Sequence, residues 1–101
     1  MEYHQEMGIS VIDWGLKGDN AEALAATLNR YVQRLRKAPP NELKSAGEAV
    51  VKKFSTMLAC SSCQEAGIGS PLALGLLHKT LKESGCTSED IALWESKWIK
   101  E

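Results

Sequence analysis

Two cysteines separated by two serines, Cys60-Ser61-Ser62-Cys63, are the residues of this chain best suited to chemistry. A pair at this spacing can supply two ligands to a metal ion, or can open and close a disulfide within one turn of chain. His78 and Cys86 downstream complete a set of four donors suited to tetrahedral zinc. The spacing argues against that use. Zinc modules place the first pair in a tight turn, whereas Cys60 and Cys63 continue a helical pattern, and the seven residues between His78 and Cys86 are too many for the second pair of a standard module. Redox use needs the attacking cysteine at the start of a helix, where the local field lowers the thiol pKa. The pattern predicts Cys60 late in a long helix instead, where that field is reversed. Three cysteines are an odd count, which fits reduced thiols better than a disulfide framework. Cys60, Cys63 and Cys86 are therefore expected as ordinary, partly buried side chains, with no cofactor.

Other catalytic patterns are weaker. The histidines number two, His4 and His78, and His4 lies near the terminus. Glu89 and Asp90 are accounted for by a helix start. Gly67-Ile68-Gly69-Ser70-Pro71 follows a helix rather than a strand, so it lacks the context of a phosphate-binding loop. A non-enzymatic protein is expected.

The stretch from Arg30 to Lys53 holds seven basic and two acidic residues. Arg30, Arg34 and Lys37 share one helix face, and the last two helices have the outline of a helix–turn–helix. The residues opening the second of them are Ser88, Glu89 and Asp90, and a recognition helix would present these to phosphates. With a net charge of −1 for the whole chain, nucleic acid is not the expected partner.

Three tryptophans, Trp14, Trp94 and Trp98, are many for a chain of 101 residues. The plainer reading is core; the alternative is contact with another protein, where tryptophan is enriched. Leu93 points away from the Ile91–Trp94–Trp98 face, and Val32 and Met57 widen their apolar stripes beyond what one neighbour covers. That excess is the reason to expect a homodimer or another protein partner.

The elements that would position these residues are helices. Apolar residues recur at three and four in Ala21, Leu24, Leu28, Tyr31 and Leu35, behind a capping-box pair of Asp19 and Glu22, and Pro39-Pro40 ends the run. Asn41 is expected to cap a second helix with the stripe Leu43, Ala46, Val50, Phe54, Met57 and Leu58, reaching about Glu65 before Gly67 stops it. Glu48 and Lys52 in that helix are spaced as an ion pair. Ser70-Pro71 opens a third helix, whose wide arc of leucines marks it as the most buried. Thr87 opens the fourth and Gly85 ends the third.

The expected fold is all-α, a small bundle of about four helices in one domain over residues 19–101, preceded by a weakly structured arm over 1–18. Five apolar residues in that arm must be buried somewhere. The acidic start is wrong for a signal peptide and the apolar run Leu72–Leu77 is too short to span a bilayer, so a cytoplasmic protein with no membrane contact is expected. The function these readings favour is a small regulatory protein that binds and inhibits another protein, of antiactivator, inhibitor or immunity type, through a helix face or the arm. Its contact residues would be Trp14, Leu93, Trp94, Trp98, Arg30 and Arg34. The alternatives are a zinc or thiol-redox protein using Cys60, Cys63, Cys86 and His78, and a nucleic-acid-binding regulator using Arg30, Arg34 and Lys37. Charge reversal at Arg34 is expected to leave thermal unfolding unchanged, whereas Trp94→Ala should lower the melting temperature or the oligomer mass; a Trp94→Ala protein unaltered in both would overturn this reading of the last helix.

Overall fold

Six helices lie between turn-forming residues in the computed structural model, which describes residues 9–99. They are α1 (Val11–Trp14), α2 (Ala21–Lys37), α3 (Leu43–Leu58), α4 (Ser61–Glu65), α5 (Pro71–Glu83) and α6 (Ser88–Trp98), with a 3-10 turn over Pro40–Glu42 ahead of α3. No strand occurs among the described residues, and the fold is all-α. The four long helices are those the periodicity predicts. The count exceeds four because α1 forms within the expected arm and α4 is split from the second expected helix.

Side-chain caps set three of the starts. Ser10 Oγ accepts from the amide of Asp13 (3.1 Å), Ser70 Oγ from Ala73 (3.2 Å) and Thr87 Oγ1 from Asp90 (3.1 Å), each satisfying an amide that has no partner inside its helix. The Asp19–Glu22 capping box does not form. Gly18, at φ 94°, turns the chain so that its carbonyl accepts from Ala21 (3.2 Å), and α2 starts behind Asn20 without a side-chain cap. Asn41 likewise does not cap α3; it is held inside the 3-10 turn, where the Glu42 amide donates to the Pro39 carbonyl (2.9 Å).

The centre of the molecule is α3, which buries Ala46, Gly47, Val50, Val51, Phe54 and Met57. It packs against α2 and α6, while α5 packs against α1 and α6. The smallest Cα extent is 16 Å, the thickness of two helix layers at an interaxial spacing of about 8–10 Å. The leucine-rich α5 is not the most buried helix. It buries Ala73, Leu77, Thr80 and Leu81, while Leu72 stays 58% exposed, because its neighbour α1 has four residues and covers only part of the arc. Val32 and Met57, read as surplus apolar surface, are both buried in the chain's own core.

Residues 9–18 are not an appended arm. Trp14 is fully buried and Leu16 nearly so, within the same core as the other helices. The side-chain amide of Asn29 on α2 fastens this segment: its Oδ1 accepts from the Ile9 amide (3.1 Å) and from the Trp14 indole (3.1 Å), and its Nδ2 donates to the Ile9 carbonyl (2.7 Å). A boundary after residue 18 therefore has no counterpart in the packing. Residues 1–8 of the expected arm lie outside the described residues.

Close approach of α3 and α6 requires a residue without a side chain at Gly47. A Cβ there would lie 2.7 Å from the Trp94 ring and 2.9 Å from Cys86 Sγ. Gly47→Ala gains helix propensity but overpacks the centre of the fold, so a net loss of about 1–3 kcal/mol is expected, measured by urea unfolding; an unchanged or raised midpoint would refute this packing.

Candidate functional site

A helix running unbroken from Leu43 to Glu65 would fail on its own hydrophobic pattern. At about 100° per residue, Ser61, Gln64 and Glu65 would continue the Phe54–Met57 face into the core, and Cys63 would point to solvent. The chain avoids this by breaking at Ala59–Cys60. The side-chain amide of Gln64 turns back and donates to the Leu58 carbonyl at the end of α3. With the chain re-aimed, Cys63, Ala66 and Ile68 enter the core, and Gly67 at φ 110° closes α4. The Gly67 stop is where the sequence places it; the break before it is not. Cys60 is thus not late in a long helix but extended at the start of a new, five-residue one (φ −98°, ψ 121°), which removes the objection drawn from helix position, although no strand flanks that helix among the described residues.

The two cysteines are in opposite environments. Cys60 is exposed, and its Sγ lies 3.2 Å from the Ser62 hydroxyl. Donation by that hydroxyl, then by the Cys63 amide and thiol, lowers the Cys60 pKa from 9.0 to about 7. Cys63, three residues on, is 8% exposed, and burial pushes its thiol up, with the hydrogen bond to Cys60 and the Cys60 charge adding to the rise. One thiol is therefore about half ionised at neutral pH, and its neighbour is kept protonated behind it.

The other two donors are elsewhere. Cys86 is buried beside Gly47, near the opposite end of α3, where desolvation and then the charge of Asp90 raise its pKa. His78 on α5 pairs with Glu95 on α6. Among the described residues no group of three or more histidine, cysteine, aspartate or glutamate side chains is arranged to hold a metal ion. Cys60, Cys63, His78 and Cys86 are not one site, because the dithiol is beyond the C-terminal end of α3 and Cys86 sits by its N-terminal half.

The expected protein contacts divide as well. Trp14 and Trp94 belong to the core. Trp98 is half-buried, with its indole donating to Glu48 (2.8 Å) and the ammonium groups of Lys52 and Lys97 over its ring at 4.9 and 5.1 Å. Glu48 also accepts from Lys97 (3.1 Å) rather than pairing with Lys52, and the Trp98 and Lys97 hydrogen bonds hold its carboxyl below the usual value. Leu93 is 61% exposed, and Arg30 and Arg34 are exposed on α2. Two large apolar side chains that sequence reasoning did not single out are also in solvent: Ile12 (82%) on α1 and Leu72 on α5. No helix of the described residues is long and apolar enough to cross a membrane.

No family model, curated protein or solved structure matches this chain.

Alkylation reads the thiol asymmetry directly. With iodoacetamide and peptide mass spectrometry, the Cys60 rate should rise through a midpoint near pH 7, ahead of Cys63 and Cys86 at every pH up to that point, because the thiolate is the nucleophile. Ser62→Ala should move the midpoint upward. Faster labelling of Cys63 than of Cys60 would overturn the assignment.

Proposed function

We propose that this protein carries out thiol–disulfide exchange, with Cys60 as the attacking thiol and Cys63 as the resolving one. The observation that carries the reading is the helix break, which leaves Cys60 exposed at the start of α4 and Cys63 buried one turn behind it. The Cys60 thiolate attacks one sulfur of a substrate disulfide. That S–S bond breaks, the other substrate sulfur leaves and takes a proton from solvent, and Cys60 is held in a mixed disulfide. Cys63 then loses its proton to solvent and attacks Cys60 Sγ. The second substrate thiol is released, and two electrons have passed to the substrate while a Cys60–Cys63 disulfide forms. Two of the influences that raise the Cys63 pKa, the hydrogen bond and the charge of Cys60, disappear once Cys60 is in the mixed disulfide. The rise in the Cys63 pKa is thereby lessened after the first step, while burial, its largest cause, remains. An external dithiol closes the cycle by reducing the pair.

Oxidised glutathione tests this with intact-protein mass spectrometry. Wild type should end lighter by two hydrogens, Cys63→Ser should accumulate one glutathione adduct on Cys60, and Cys60→Ser should remain unmodified over the same time. A lasting adduct on wild type, or equal modification of the two variants, would sink the proposal.

A second reading, a regulatory protein that binds and inhibits another protein or a second copy of itself, is favoured by the apolar face where α1 meets α5. The two helices pack together, with Leu72 against Gly15, and each leaves one large apolar side chain in solvent, Ile12 and Leu72. If the face is used for self-association, native mass spectrometry should give a dimer for wild type and a folded monomer for the Ile12→Asp, Leu72→Asp double variant. A monomeric wild type would refute that form of it.

A further inference from the structure

A cysteine takes oxygen from a hydroperoxide when its thiolate is open to solvent, and the sulfenic acid so formed escapes further oxidation when a second thiol stands beside it. The Cys60–Cys63 pair meets both conditions. Cys60 is exposed, and its Sγ lies 3.2 Å from the Ser62 hydroxyl. A hydroxyl at that distance is within hydrogen-bond reach of an oxygen that approaches the sulfur from its side. Cys63 follows one helical turn on, its thiol hydrogen-bonded to the Cys60 sulfur while it packs in the core. The positive charge of Lys53 on α3 acts on Cys63 and favours loss of its proton. Cys86 is buried beside Gly47 and is no part of the pair.

We propose that this pair reduces hydroperoxides, with Cys60 as the thiol that takes the oxygen, Ser62 as hydrogen-bond donor to the bound peroxide and Cys63 as the resolving thiol. The inference rests on the same assignment of attacking and resolving thiols as the exchange reading, but it needs no disulfide substrate. The Cys60 thiolate attacks one peroxide oxygen and the O–O bond breaks. The departing oxygen takes a proton from solvent and leaves as water or an alcohol. Two electrons have then passed from sulfur to peroxide, and Cys60 carries a hydroxyl as its sulfenic acid. Cys63 attacks Cys60 Sγ, the S–O bond breaks, and the hydroxide leaves as water with the proton that Cys63 gives up. The product is a Cys60–Cys63 disulfide, which an external dithiol reduces.

The test adds hydrogen peroxide to the full chain, with no disulfide present, and follows the cysteine peptides by mass spectrometry. In wild type the Cys60 and Cys63 peptides should end joined by a disulfide, with no oxygen retained on Cys60 even in excess peroxide. Cys63→Ser should gain one oxygen on Cys60 that dimedone traps, then further oxygens as the excess persists. Native Cys60 should react at pH 7 at least about tenfold faster than the same thiol in the urea-unfolded chain, where its ionisation returns to that of an ordinary cysteine. Ser62→Ala should lower the rate about fivefold even above the pH at which Cys60 is fully ionised, the size of one lost hydrogen bond. A loss that vanishes there would show Ser62 acting through thiol ionisation alone and would strike it from the mechanism. Closure of the pair by oxidised glutathione but not by peroxide would overturn this proposal and leave the exchange reading standing, and closure by peroxide alone would do the reverse. Oxidation of Cys86 ahead of Cys60, or a native rate no faster than the unfolded one, would also overturn it.

Discussion

The turn after α1 and the turn after α4 touch backbone to backbone, and the placement of everything between Cys60 and α5 depends on that contact. A Cβ on Gly67 would stand 2.5 Å from the Gly15 carbonyl oxygen, so no side chain fits there, and the positive φ of 110° independently favours glycine. Beside it the Lys17 amide donates to the Ala66 carbonyl at 2.8 Å. These contacts anchor the C-terminal end of a five-residue helix too short to be stable by itself. Asn29 anchors the other side of the same turn by fastening Ile9 and the Trp14 indole to α2. The N-terminal segment is therefore part of what holds the dithiol in place, although it contributes no reactive group.

The dithiol's asymmetry has two separable origins. The lowered pKa of Cys60 comes first from a neighbour two residues away, Ser62, and would accompany any chain that takes this local turn. The raised pKa of Cys63 comes first from burial, which exists only because the core accepts that side chain. Burial of Cys63 in turn requires the helix to break, since continuing it would put Ser61, Gln64 and Glu65 into apolar surroundings at the cost of leaving polar groups unpaired. Reactivity and fold thus meet in one choice of backbone direction at Ala59–Cys60.

The remaining tryptophans illustrate how burial and polarity share the work elsewhere. Trp94 supplies area at the crossing of α3 and α6, where Gly47 admits its ring. Trp98 ties the end of α6 to α3 by its edges instead: the indole donates to Glu48, two ammonium groups lie over the ring, and its carbonyl accepts from the Ser55 hydroxyl. These polar contacts are at or near the surface, where salt and water weaken them, so the ring at Trp94 contributes more to holding α6 than the clasp at Trp98.

Local signals in the chain determined the all-α class, the four long helices and their punctuation, because capping hydroxyls at Ser70 and Thr87, the proline pair and the glycines at 67 and 85 act over distances of three or four residues. They also contained, unread, the reason for the break: Ser61 and Gln64 fall on the face that Phe54 and Met57 make apolar. What only the tertiary structure decided is which apolar residues find partners. Val32, Met57, Trp14 and Trp94 each look like surplus surface on an isolated helix, and all four are covered once α1, α2, α3 and α6 come together. Ile12 and Leu72 look no different in sequence and remain in solvent, because α1 is too short to cover α5. Periodicity states which side of a helix is apolar; how much of that side is covered depends on the length and angle of a neighbour that the sequence does not specify locally.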